Sequence, residues 1–186
     1  MMVVLFAAQS ADGWITRGAE PGDGFTSEAD KVHFRAALRA CDACVMGSAT
    51  YELSRDRLRP QLWPELRRIV WTRDPSRRAS EARPGVLEFS DESPEKLTAR
   101  LKADGRKRCA VLGGGQVNGA WLQAGLVDEL CLTVESRLFG RGTPLASFPH
   151  PDLTSPSPPA DIRLSLLEAR VLAAGGPVLL RYAVNR

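Results

Sequence analysis

The sequence predicts an α/β domain built on a mixed, mostly parallel sheet with an antiparallel C-terminal edge, and three observations support this. Short β-branched runs alternate with helical periods through the first two thirds of the chain, the order that parallel crossovers require. Two of those runs end in glycine where a helix begins, at Gly47 and at Gly113 to Gly115. Two extended runs then follow one another at the end of the chain, which adds the antiparallel edge. The 186 residues fit one domain, 1–186, with no internal repeat and no linker long enough to divide it.

The elements follow in order. Residues 3–6 are the first strand candidate, inside an apolar run over residues 1–8. No basic segment precedes that run and Asp12 soon ends it, so it reads neither as a membrane span nor as a signal peptide. The loop 10–13 follows. Residues 28–40 are predicted to be helical, with Ser27 as N-cap and Phe34, Ala37, Leu38 and Cys41 along one face. Residues 43–46 and 68–72 are the next strands, and 94–103 is a helix with proline at its start. Residues 108–112 form a strand that runs into the glycines, 116–124 a helix closed by Gly125, and 126–135 a further extended run. Residues 154–159 are a Pro/Ser loop, and 162–172 and 178–184 pair around an Ala-Ala-Gly-Gly-Pro turn.

Composition narrows the function. With 44% hydrophobic and 25% charged residues, the chain is of the soluble globular kind rather than disordered, collagen-like or coiled-coil. A net charge of +3 requires neither nucleic acid nor a membrane as partner, and a cytoplasmic setting is expected. Cys41, Cys44, Cys109 and Cys131 lie in or beside apolar stretches. Cys41-x-x-Cys44 has redox or zinc spacing but lacks a second pair or a histidine at ligand spacing, so buried thiols and no metal site are expected.

The chemistry is expected at the carboxyl ends of the strands, where helix N-termini offer free N–H groups. Two strand–glycine–helix junctions stand there, Val45-Met46-Gly47-Ser48-Ala49-Thr50-Tyr51-Glu52 and Val111-Leu112-Gly113-Gly114-Gly115-Gln116-Val117. Two such junctions in one small domain point to a diphosphate ligand, and Gly113-x-Gly115-x-x-Asn118 is a degenerate dinucleotide fingerprint. Residues 55–83 carry nine arginines against four acids, and a strand ends among them at Thr72-Arg73. A hydroxyl and a guanidinium at that place suit an adenosine 2′-phosphate and favour NADPH over NADH; a solvated basic face with no ligand is the other reading.

These motifs, with Val127-Asp128-Glu129-Leu130-x-Leu132-Thr133 after them, resemble the dihydrofolate reductase superfamily over about residues 3–182. Ser10-x-Asp12-Gly13 and Leu138-x-Gly140-x-Gly142-x-Pro144-Leu145 resemble one branch of it most, the C-terminal reductase domain of the bifunctional riboflavin-biosynthesis deaminase-reductase and its stand-alone relatives. The resemblance implies a three-layer fold with a sheet of about eight strands flanked by helices, bound NADPH, and a homodimer. It also implies site residues. Gly47, Ser48 and Thr50 would cover the cofactor's phosphates, and Thr72 and Arg73 would hold the 2′-phosphate. Gly113, Gly114, Gly115, Gln116 and Val117 would wrap the pyrophosphate and ribose. Ala8 and Ile15 would approach the nicotinamide, beneath a loop formed by Asp12, Gly13 and Trp14.

Asp30-x-x-x-Phe34-Arg35 resembles the helix that carries the pterin-binding carboxylate of dihydrofolate reductase, which would make Asp30 the catalytic residue. Helical spacing places Asp30 on the face of Phe34 and Ala37. Ser27-x-x-Asp30 equally fits a capping box, with Asp in place of Glu or Gln. His33 and His150 read as surface histidines.

The substrate half departs from both relatives. Residues 21–25 replace a Leu-Pro-Trp segment, residues 54–58 replace an Asp-Asn-Pro-x-Leu motif, and a deaminase zinc motif is missing. The expected activity is hydride transfer from NADPH to a C=N or C=O carbon of a small, polar, pteridine- or pyrimidine-like heterocycle. A true dihydrofolate reductase and a non-catalytic NADPH-binding protein are the alternatives.

Overall fold

A computed structural model of the chain describes residues 1–17, 24–148 and 161–185. His150, the 154–159 loop and most of the stretch 21–25 lie outside the described residues. In chain order the elements are β1 (Met2–Ser10), β2 (Trp14–Thr16), α1 (Glu28–Leu38), β3 (Ala43–Gly47), α2 (Ser48–Ser54), β4 (Arg67–Trp71), a 3-10 segment (Ser76–Glu81), β5 (Leu87–Ser90), α3 (Pro94–Ala103), β6 (Arg108–Val111), α4 (Gly115–Gln123), β7 (Glu129–Glu135), β8 (Thr143–Pro144), β9 (Leu164–Val171) and β10 (Val178–Val184). Among the described residues, no helix is long and apolar enough to cross a membrane.

Eight strands form one sheet in the order β5-β4-β3-β6-β1-β7-β10-β9. β1 runs parallel to both β6 and β7, β3 is parallel to β4 and β6, and β4 to β5. The carboxyl ends of all six therefore share one edge. β10 returns antiparallel to β7, and β9 pairs antiparallel with β10. The separate two-stranded ribbon β2–β8 lies outside this sheet.

Alternate residues of each strand face opposite layers, because the side-chain period of a strand is two. One layer packs Leu97 and Leu101 of α3 and Val117, Ala120 and Trp121 of α4 on Val3, Leu5, Val45, Ile69, Val111, Leu130 and Leu132. The other packs Leu38 of α1 and Tyr51 of α2 on Val4, Phe6, Cys44, Met46, Val70 and Cys131. The three-layer fold follows.

Several expectations shift. β5, β2 and β8 have no counterpart in the sequence reading; they are short pieces held by their neighbours. The run that begins at residue 126 becomes strand only at Glu129. Leu126 N–H instead closes a turn on Trp121 O, and the Asp128 carboxylate accepts Val3 N–H at 2.7 Å. α1 stops at Leu38 because Ala40 and Cys41 turn back on Ala37 and Leu38 carbonyls. His33 is not a surface residue. It is half-buried, with Nε2 3.6 Å from Cys131 Sγ, and burial lowers its pKa.

The four thiols are all buried and unpaired, and burial pushes Cys44 and Cys131 up to about 12. The arginine-rich stretch is no uniform solvated face. Arg68 is buried and donates to the carbonyls of Leu58, Leu66 and Trp63 (2.8 Å for the last), tying the 58–66 loop to β4. Arg67 pairs with Glu88 and Asp104, and Arg78 with Glu52 and Glu81.

Candidate active site

The two glycine junctions meet on the shared carboxyl edge. Gly47, the N-cap of α2, donates its N–H to Gly113 O at 2.8 Å. Gly113 has φ +89°, a conformation that an L side chain resists, and its peptide bond to Gly114 is cis. Gly114 caps α4. The first turn of that helix leaves N–H groups without intrahelical acceptors, with the positive end of its dipole beside them.

The glycines differ in what a side chain would meet. A Cβ on Gly114 would find only Thr50 Oγ1, at 3.7 Å, so the space between the two junctions lies beside it. On Gly115 it would come 2.8 Å from Pro144 O, and on Gly47 3.1 Å from a Val117 methyl. Gly115 therefore gives room to the 143–147 segment, its carbonyl accepting the Ser147 N–H at 2.8 Å, and the Val117 side chain belongs to the core. Gln116 is exposed, while Ser48 and Thr50 are half-buried.

Thr72 follows β4 at the same edge, its N–H on Ser90 O and its hydroxyl accepting from Asp74 N–H at 3.3 Å. Arg73 beside it is exposed, and among the described residues its side chain has no hydrogen-bond or ion-pair partner. A phosphate-bearing ligand would meet it unopposed.

The loop after β1 is fastened. Asp12 accepts from Ser10 Oγ at 2.5 Å, Phe139 N at 3.0 Å and Gly140 N at 2.6 Å. These bonds, the Ser10 hydroxyl first, hold its carboxyl down at about 2. Gly13 turns at φ +91°, and Trp14 pairs with Pro144 across the β2–β8 ribbon. Trp14 and Ile15 are half-buried there, and Ala8 lies in β1 opposite Thr133.

Asp30 is only 8% exposed. Ser27 Oγ accepts the Asp30 N–H at 3.1 Å, which is one half of a capping box. The other half is not made by Asp30: the Ser27 N–H goes to Oε1 of Glu135, at 2.7 Å. The Asp30 carboxyl instead meets the hydroxyls of Thr133 and Thr26. Burial, the largest influence, raises its pKa, and the charge of Glu135 adds to the rise. The carboxyl at the carboxyl ends of β1 and β7 thus holds its proton to higher pH than an ordinary aspartate.

From the sequence, Thr133 enters only within a family-like motif, and no role falls to Thr26, Thr133 or Glu135. The signal for Thr133 and Glu135 is the alternation in β7, where Glu129, Thr133 and Glu135 fall on one face and the apolar Leu130, Leu132 and Val134 on the other.

No protein of curated function matches the chain in sequence. Solved structures do match in shape. A putative riboflavin biosynthesis protein from Shewanella sp. PV-4 superimposes with a TM-score of 0.73 at 20% identity, covering 100% of both chains. A pyrimidine reductase-like protein from Corynebacterium diphtheriae gives 0.73 at 17% identity, over 100% of this chain and 92% of that one. A dihydrofolate reductase from Enterococcus faecalis, complexed with NADP(H), gives 0.64 at 22% identity, over 100% and 97%. At these identities the likeness establishes the fold. The sequence profile of the RibD C-terminal domain matches residues 1–175, nearly the whole chain, and so the chain belongs to the RibD C-terminal domain family.

Proposed function

We propose that the chain is an NADPH-dependent reductase acting on a small polar heterocycle of pteridine or pyrimidine type. The observation that carries this reading is Asp30: a buried carboxyl whose pKa burial raises, held by two threonine hydroxyls, on the same sheet edge as the paired glycine junctions. The family supports a reductase, and the two named neighbours, one pyrimidine reductase-like and one complexed with NADP(H), support the substrate and cofactor classes.

The residues fit the cofactor. Gly47, Ser48 and Thr50 and the backbone from Gly113 to Val117 border the space beside Gly114, and the unpaired Arg73 with Thr72 suits a 2′-phosphate. Ala8 and Ile15 would line the nicotinamide side, with Asp12, Gly13 and Trp14 as its fixed roof. NADPH, when bound, would supply the hydride. The protein orients the ring, excludes water with Trp14, and delivers a proton from Asp30 to the ring nitrogen next to the reduced carbon. The resemblance that suggests the cofactor also suggests a cytoplasmic homodimer, and both belong to this proposal.

Parallel titration with NADPH and NADH, read by tryptophan fluorescence at two salt concentrations, tests the cofactor half. Preference for NADPH that weakens with salt is the expected result; binding of neither nucleotide overturns the reading. Arg73→Ala should weaken NADPH binding about 10- to 100-fold, the range of one charge-assisted hydrogen bond, and leave NADH nearly unchanged. Equal losses for both would remove the 2′-phosphate role. Oxidation of NADPH on adding dihydrofolate would single out a true dihydrofolate reductase.

A further inference from the structure

Glu135 has no task in the mechanism above, yet it is only 4% exposed. It is the last residue of β7, opposite Ser10 of β1. A carboxylate taken this far from water is costly unless hydrogen bonds or an opposite charge offset the lost solvation. Its Oε1 accepts the Ser27 backbone N–H at 2.7 Å, the bond that a capping box ordinarily assigns to the side chain at the Asp30 position. Because Glu135 makes that bond from the sheet, the Asp30 carboxyl is free of the cap and turns to Thr133 and Thr26.

We propose that Glu135 is a positioning residue for the proton-delivering carboxyl: it takes over the capping bond from Asp30 and lays its own negative charge against it. This rests on the reductase reading of the same site. A second negative charge beside that of Glu135 is disfavoured in a pocket with little water, so Asp30 keeps its proton to higher pH than a lone aspartate does. The other groups that act on Asp30 are few. Lys31 on α1 and the Thr133 and Thr26 hydroxyls favour its ionised form. Cys131 on β7 is a neutral thiol at these pH values, its pKa being about 12. Glu135 supplies the opposing charge.

The balance of the step is simple. Two electrons arrive with the hydride at the ring carbon, breaking the C=N π bond, and the adjacent nitrogen takes one proton. That proton leaves Asp30, which ends ionised beside Glu135 and recovers a proton from water. Repulsion from Glu135 draws that replacement proton back, readying the site for another turnover.

The test is a pH titration of the protein labelled with ¹³C at its Asp and Glu carboxyls, followed by NMR, with Asp30→Asn to assign the resonance. Glu135→Gln keeps an oxygen for the Ser27 N–H and removes the charge. In this variant the Asp30 midpoint should fall by about one pH unit, a tenfold loss of proton affinity, with α1 unchanged. The pH above which turnover fails should fall with it. Glu135→Ala should lower the midpoint and also lose protection of the Ser27 amide from hydrogen exchange. An unmoved Asp30 midpoint in Glu135→Gln overturns the proposal, whether or not the alanine variant folds. NADPH binding measured on the same samples separates the two claims: its absence removes the reductase reading, while an unmoved midpoint with normal NADPH binding removes only the role of Glu135.

Discussion

Asp30 is where chemistry and stability pull in opposite directions. Its pKa in the folded protein is raised above the ordinary 3.8, so the folded chain keeps a proton that the unfolded chain releases. Its contribution is therefore fully present below that ordinary value and is lost as pH rises through the raised one. Asp30→Asn, neutral at every pH, should melt higher than the parent at pH 8, and the gain should shrink as pH falls towards 4. A gain that persists in acid would mean that ionisation is not the cause. The same variant should lose about 10²- to 10⁴-fold in turnover, the usual range for removing a general acid. The sequence showed Ser27 as the cap and the inward face of Asp30, but not which of two roles the carboxyl played. That choice hangs on Glu135, which is 108 positions from Ser27 and reaches it only once β7 is placed beside β1. His33 misled for a similar reason: helical spacing told its angle around α1, not that β7 would bring Cys131 up to it.

At the scale of elements, α4 shows how one glycine-rich helix divides its labour. A Cβ at Gly119 would collide with the Ser147 backbone carbonyl, so Gly119→Ala should cost about 1–3 kcal/mol through overpacking, seen as a lower Tm. Gly114→Ala meets only Thr50 Oγ1 and should keep the parent Tm while weakening NADPH binding. If both variants lose stability alike, the space beside Gly114 is a packing feature rather than a ligand site. Ser27→Ala should cost α1 about 1 kcal/mol, measured by chemical denaturation, through loss of the bond to Asp30 N–H. Helices were the most legible elements. α3 begins and ends where proline at N1 and the last apolar period place it, with Leu97 and Leu101 buried as the spacing requires. β5 was lost because four residues, Leu87 to Ser90, carry too little pattern; it exists because β4 supplies its partners.

Across the whole molecule, the sheet separates two cores, and β1, β3, β4, β6, β7 and β10 each contribute side chains to both. Unfolding should therefore be one transition. Far-UV circular dichroism and tryptophan fluorescence, to which Trp71 and Trp121 contribute from one layer and Trp63 from the other, should coincide; separated midpoints would mean that unfolding is not a single transition. A charge network also spans elements: Arg67 and Arg100 both hold Glu88, and Arg100 holds Glu92, linking β4, β5 and α3. Burial alone would raise Glu88, but the hydrogen bonds and charges of Arg100 and Arg67 outweigh it, and for Glu92 the Arg100 hydrogen bond dominates, so both glutamates lie below the usual 4.5. Their support is present above that value and is lost as pH falls through the lowered ones. Arg100→Met should reduce stability at pH 7 and flatten the loss below pH 4.5, read as the dependence of Tm on pH. The α/β class and its antiparallel edge were legible from the order of patterns. Strand order was not, because sequence patterns say that a strand is buried without saying which strands lie on either side of it.

β7 carries one further consequence. Leu130 and Leu132 on one side of this strand meet Trp121 and its neighbours, while Thr133 and Glu135 on the other meet the helix that bears Asp30. β1 and β10 lock its register from both flanks, so a change along one row leaves the opposite row where it stands. An exchange at Thr133 or Glu135 therefore alters the surroundings of Asp30 while leaving the packing behind the strand intact. Architecture and chemistry occupy alternate residues of a single ribbon.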